Sequence, residues 1–208
     1  MNFLRRSLFV IAVLLAACGS SPTLTALPYT DNFDNPASGW KTAQEAALQI
    51  QYRDGTLLFS IDDLDQIAWS VSGKRFKDFT LEVDATQLAG PNDNSYGVIV
   101  RYVDDKNFYR LDISGDGYYA INKRKDGTWI KVQDWTEAPA IHQAQATNHL
   151  QVVAKGAQFT FNINGQPVGS FADADFNAGD VGVTAGTLFD NAGVQIAFDN
   201  LTVSEAKP

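Results

Sequence analysis

The chain has 208 residues with 24 acidic against 16 basic side chains, a net charge of −8 and a single cysteine. So acidic a surface repels nucleic acid and anionic headgroups, and one cysteine excludes an internal disulfide. Aspartate supplies twenty of the acids and glutamate four, a bias toward turns and away from helices.

The first seventeen residues divide into a short basic stretch bearing Arg5 and Arg6 and an unbroken apolar run, Leu8–Ala17. Such a run is too short to cross ~30 Å of hydrocarbon, so residues 1–17 are expected to be a signal peptide. Leu15-Ala16-Ala17-Cys18 resembles the bacterial lipobox, in which the cysteine becomes a lipidated, palmitate-bearing N-terminus. Residues 18–29 read as a lipidated tether, small, polar and broken by proline. The expected location is a cell membrane or outer membrane, lipid-anchored, facing periplasm or extracellular space. An outer membrane is favoured in a two-membrane envelope because Gly19, not aspartate, follows the cysteine.

Beyond the tether, apolar residues recur at period two. Leu48/Ile50/Tyr52, Leu57/Phe59/Ile61, Phe79/Leu81/Val83/Ala85, Tyr96/Val98/Val100/Tyr102, Tyr109/Leu111/Ile113, Phe159/Phe161/Ile163 and Val194/Ile196/Phe198 each line one side of a strand. Asp54-Gly55, Asp116-Gly117, Asp126-Gly127 and Asn164-Gly165 are hairpin signals between them. Only Thr42–Leu48 has helical composition. Short strands with frequent turns predict an all-β sandwich or barrel over residues 30–204, with 205–208 a tail. Gly115-Asp116-Gly117-Tyr118-Tyr119-Ala120 matches a dinucleotide fingerprint on paper, but a strand and not a helix follows it, so these glycines mark a hairpin.

Three stretches carry a family resemblance: DNFDNPASGW (31–40), YGVIVRYVDDKNFYRLDISGDGYYAINKRKDGTW (96–129) and VQIAFDNLTV (194–203). Together they resemble the concanavalin A-like lectin/glucanase superfamily, near its glycoside hydrolase family 16-like and 3-keto-disaccharide hydrolase-like domains. The resemblance implies a two-sheet antiparallel jelly roll with one concave face, and a ligand class of glycans. It does not fix the activity.

Four constellations bear on chemistry. Glu82 and Asp84 flank Val83 and emerge together on the face away from the core, about 7 Å apart. A retaining glycosidase holds two carboxyls about 5–5.5 Å apart. The resemblance implies Glu-x-Asp-x-Glu or Glu-x-Asp-x-x-Glu on that strand, yet Thr86 and Gln87 occupy the third position, so no catalytic residue is assigned. Next, a four-residue loop Asp104–Asn107 would set Arg101 opposite Arg110, joined by Asp112 and offset by Glu82 and Asp84 on a neighbouring strand. That lattice is either structural or a floor for sugar hydroxyls or a carboxylate. Third, Trp69, Tyr118 or Tyr119, and Trp129 are candidates to stack on sugar rings, while Trp40 and Trp135 read as packing. Fourth, Phe198-Asp199-Asn200 interrupts the alternation of the last strand and reads as a bulge. The resemblance implies a structural calcium ion there, with Asp199 as ligand, and an Asx turn is the alternative. His142 and His149, placed in a polar connection, support no metal or triad.

The expectation is a monomeric, surface-anchored lipoprotein with a non-catalytic carbohydrate-binding module, its partners a glycan and the membrane. A glycan-cleaving hydrolase using Glu82 or Asp84, and a structural envelope protein contacting another protein, are the alternatives.

Overall fold

The structure, a computed structural model, describes residues 23–206; the expected signal peptide and Cys18 lie outside them. Fifteen strands form two antiparallel sheets. The large sheet holds β1 (Tyr29–Asp31), β2 (Ala43–Gln44), β3 (Leu48–Arg53), β4 (Thr56–Ile61), β6 (Phe79–Ala89), β11 (Thr147–Lys155), β12 (Gln158–Ile163), β13 (Gln166–Ala172) and β15 (Val194–Ser204). The small sheet holds β5 (Ile67–Val71), β7 (Ser95–Asp104), β8 (Asn107–Ile113), β9 (Tyr118–Lys125), β10 (Thr128–Glu137) and β14 (Asp180–Gly186). The large sheet runs β13-β12-β11-β6-β15-β4-β3-β2 with β1 added to β15, and the small sheet runs β10-β9-β8-β7-β14-β5. Neighbours distant in sequence make this a jelly-roll sandwich.

The hairpins follow the sequence. Asp54-Gly55, Asp126-Gly127 and Asn164-Gly165 each join paired strands through two residues with φ between +50° and +82°. That is the turn whose twist matches the strands, and Asp or Asn with Gly adopts it most easily. Asp116-Gly117 sits in a longer loop, where Gly117 alone has a positive φ, +99°. The stretch of helical composition at Thr42–Leu48 forms edge strand β2 and a turn instead, because sheet pairing with β3 outweighs a weak local propensity.

Alternation decides what is buried. On β6, Phe79, Leu81, Val83 and Ala85 are fully inside, facing Tyr96, Val98 and Val100 of β7 and Tyr109, Leu111 and Ile113 of β8. Each large apolar side chain so placed stabilises the fold by about 1.5–3 kcal/mol. One end of the core is closed by cations. Lys123, on the inward side of β9, lies 2.6 Å from Asp173 and also pairs with Asp175, over the rings of Tyr109 and Phe176. The Tyr109 hydroxyl donates to the same Asp173 at 2.6 Å.

Candidate functional site

With Tyr96, Tyr109 and Tyr119 inward, the outward positions of the small sheet are Gly97 and Ile99 on β7, Phe108, Arg110 and Asp112 on β8, and Ala120, Asn122 and Arg124 on β9. Trp69 stands outward on edge strand β5 and Trp129 on the opposite edge, β10. Five strand spacings in a flat sheet separate such edges by about 24 Å. Phe108 nevertheless touches both, with ring centroids 5.5 Å from Trp69 and 5.7 Å from Trp129. The sheet is therefore curled, its outer face concave. Glycines make room: an added Cβ at Gly97 would lie 2.1 Å from the Leu111 carbonyl oxygen, and at Gly182, 2.6 Å from that of Ser70.

The floor of the hollow is a buried ion pair. Arg110 Nε lies 2.9 Å from Asp112 Oδ1, and the two residues are 4% and 1% exposed. Arg110 Nη2 also donates to Ser95 Oγ at 3.0 Å. Burial pushes the Asp112 carboxyl up to about 6, against the opposing pull of Arg110. Burial likewise lowers the Arg110 guanidinium from its usual value.

The two ends of the hollow differ. At one end Trp69, Tyr102, Phe108 and Trp129 cluster around Arg124, whose guanidinium carbon sits over both indoles, 5.7 Å from Trp69 and 5.2 Å from Trp129. Asp105 accepts there from Trp69 Nε1 at 3.1 Å and from the Tyr102 hydroxyl at 2.6 Å, bonds that hold its carboxyl below the usual range. At the other end Asp93, Asn94, Ser114, Asp116, Tyr118, Trp135 and Leu188 line a cleft of about 250 Å³. Tyr118 and Trp135 are 40% and 39% exposed in it. Asn94 is fully buried behind them, donating to Gln87 and Pro91 and accepting from the Gly115 amide, and so fixes both loops of the cleft.

Several expected neighbours are apart. Arg101 does not oppose Arg110. Between the pairs Val100↔Tyr109 and Asp104↔Asn107, β7 carries three residues against the single Phe108, and the expected four-residue loop is a two-residue turn plus a bulge. At φ +54° Arg101 turns inward, fully buried, 5.7 Å from the rings of both Phe79 and Phe159. Its guanidinium donates to the Asn177 and Gly156 carbonyl oxygens and to Asp78 at 3.3 Å. Glu82 and Asp84 do point away from the core, but β6 belongs to the large sheet, so they lie across the sandwich from Arg110 and Asp112. Their partners are His149, with Nδ1 2.8 Å from Asp84 Oδ1, Gln151 on Glu82, and Asn200 on Asp84. His149 thus stands on strand β11, not in a connection. Trp40 is buried, donating to Asp31 at 2.9 Å, whereas Trp135 is exposed in the hollow and not packed. Trp69 and Trp129 face outward, each with a ring face against Arg124, and Trp129 is 40% exposed.

The bulge at Asp199 is present, with register lost between Asp199 and Thr202 and Asn200 at φ +54°. The donor set does not fit calcium. Asp199 accepts from the Asn200 amide at 2.6 Å, Asp84 across from it is already hydrogen-bonded, and among the described residues no three His, Cys, Asp or Glu converge. The Asn200 bond joins Asp199 to the next amide and not to the one two residues on, so the expected Asx turn is not formed at Asp199 either.

The jelly-roll sandwich is a fold this chain shares with a carbohydrate-binding module and glycosidases of known structure. The carbohydrate-binding module CBM66 from Bacillus subtilis is 20% identical, with TM-score 0.61 over 81% of this chain and 96% of that one. A native glycosidic hydrolase is 13% identical, with TM-score 0.66 over 88% and 97%. A β-glucanase of Bacillus licheniformis is 10% identical, with TM-score 0.62 over 87% and 99%. These likenesses are of fold. The chain belongs to the family of 3-keto-alpha-glucoside-1,2-lyase-like domains, whose profile matches residues 28–204. None of the curated proteins matches it.

Proposed function

We propose that the protein is a lipid-anchored, non-catalytic glycan-binding module whose ligand enters the hollow of the small sheet. One observation carries the reading: Tyr118 and Trp135 present exposed rings in a cleft that Asp93 and Asp116 also line. Aromatic faces cover the apolar side of a sugar while short polar side chains meet its hydroxyls. Glu82 and Asp84, the residues of the hydrolase alternative, lie on the other sheet, hydrogen-bonded to Gln151 and His149. Retention of the purified protein on immobilised polysaccharides, with Trp135→Ala beside the parent, tests it. Loss of retention with unchanged melting supports the reading; a parent that no polysaccharide retains overturns it. Anchoring through Cys18 in a cell or outer membrane is part of the same proposal, resting on the lipobox resemblance.

A further inference from the structure

Arg124 is the one element of the hollow that glycan binding in general does not call for. It lies half-buried between two indole faces, with its Nε buried and without a hydrogen-bond partner, so a ligand would meet the Nη edge of the fork. Among the described residues its neighbours on this face are already compensated. Arg110 pairs with Asp112, and Lys131, next to it across Asn122, pairs with Asp134 at 2.8 Å. Asp105 feels the charge of Arg124, but its Oδ1 accepts from Trp69 and Tyr102, and no ion pair joins it to Arg124. A guanidinium clamped in this way has lost most of its rotamer freedom before any ligand arrives, and its planar fork matches a carboxylate in two parallel hydrogen bonds. In a chain of net charge −8 it stands as a local cation inside a generally repulsive field.

We infer that Arg124 is the carboxylate-recognising residue of the hollow and that the ligand is an acidic, uronate-bearing polysaccharide. The inference rests on the glycan-binding reading and adds the ligand's class to it. Tyr118 and Trp135 hold the ring of one residue at one end, and Arg124 takes the carboxylate of another at the other. Trp69 and Trp129 act as positioning residues for the guanidinium; they do not serve as sugar platforms.

Three polymers separate the possibilities on the purified protein: polygalacturonate, its methyl ester, which removes the charge and keeps the sugar, and dextran sulfate, which keeps charge without a planar carboxylate. The parent is expected to bind polygalacturonate at least tenfold more tightly than either of the others. Arg124→Gln should lower that affinity roughly 10- to 100-fold, the range of a lost charged hydrogen-bond pair. Arg124→Lys, with charge but no fork or stack, should recover little of it. Were Arg124 only a strut between the two tryptophans, Arg124→Gln would weaken ester and acid alike. Equal binding of the methyl ester, equal binding of dextran sulfate, or indifference of polygalacturonate binding to Arg124→Gln overturns the inference. Each of those outcomes leaves glycan binding standing so long as Trp135→Ala abolishes it. Failure of the parent to bind any polymer, neutral or acidic, removes both.

Discussion

Trp69 and Trp129 occupy opposite edge strands of one six-stranded sheet, yet both rings rest within 6 Å of the same Phe108 ring. That closeness converts a sheet surface into a hollow and explains why residues on its outer side, Ile99 and Thr184, are as inaccessible as the core. Residues on this sheet, outward and inward alike, differ sharply in what they do when replaced.

Arg101 is the first case. It is fully buried and shares its hydrogen bonds among Asn177, Gly156 and Asp78. Arg101→Met should cost about 3 kcal/mol, by orphaned carbonyls and lost ring contacts, or roughly 6–12 °C in Tm for a domain of this size. Polysaccharide retention should be untouched at temperatures where the variant is folded. Thermal melting and a retention assay on one preparation check both halves.

The Arg110–Asp112 pair behaves differently from a surface ion pair. Both partners are buried, so Arg110→Met strands a carboxylate and should destabilise by about 3–5 kcal/mol at neutral pH. The double variant Arg110→Met/Asp112→Leu should regain much of that loss. The folded Asp112 carboxyl titrates at about 6, above its ordinary 3.8, so its contribution to stability is full below about pH 4 and declines as pH rises through 6. In Arg110→Met the decline should steepen, because the opposing charge is gone. Chemical denaturation of the four members of the cycle at pH 4, 5, 6 and 7 measures it.

At the Lys123 end the sign reverses. Burial pushes the Asp173 carboxyl up, but hydrogen bonds from Lys123 and Tyr109 outweigh it and leave it below the usual range; Lys123 and Lys125 lower Asp175. Carboxyls depressed on folding stabilise above their unfolded pKa and lose that contribution as pH falls through the folded value. Tm should therefore drop as pH goes from about 4 downward, and Lys123→Met, less stable at pH 7, should show a shallower drop. Equal slopes for parent and variant would refute the assignment.

The proposed anchoring depends on one atom, the Cys18 sulfur. Cys18→Ser should leave unprocessed precursor and abolish labelling by a palmitate analogue. Label retained on the serine variant means that the lipid is attached elsewhere or that the resemblance misleads.

Much of the sandwich was legible because alternation and turn chemistry are local. Phe79 to Ala85 could bury only one side, and Asp54-Gly55, Asp126-Gly127 and Asn164-Gly165 each close a two-residue hairpin. The site was less so, for two physical reasons. Sheet membership is non-local: nothing within Glu82-Val83-Asp84 says that β6 lies across the core from β8. Register is fragile, since the bulge that carries Arg101 inward inserts residues between two pairs and reverses the expected facing of a side chain. Trp135 was missed for a related reason, as β10 slips against β9 on both sides of Gln133. Tyr118, by contrast, needed only the inward placement of Tyr119 to settle its direction.

The short strand β1 has a mechanical meaning. It pairs with the end of β15 through Tyr29↔Val203, Thr30↔Thr202 and Asp31↔Leu201, and it is the point where the proposed tether enters the domain. A body held by the proposed lipid on one side and by a polysaccharide on the other would carry tension, and that load would meet the Thr25–Arg75 hydrogen bonds before these three pairs. Behind them stands Asp31, which accepts hydrogen bonds from the Trp40 indole and the Phe33 amide, each at 2.9 Å. Such a pull enters at the margin of the large sheet, across the sandwich from the curled one.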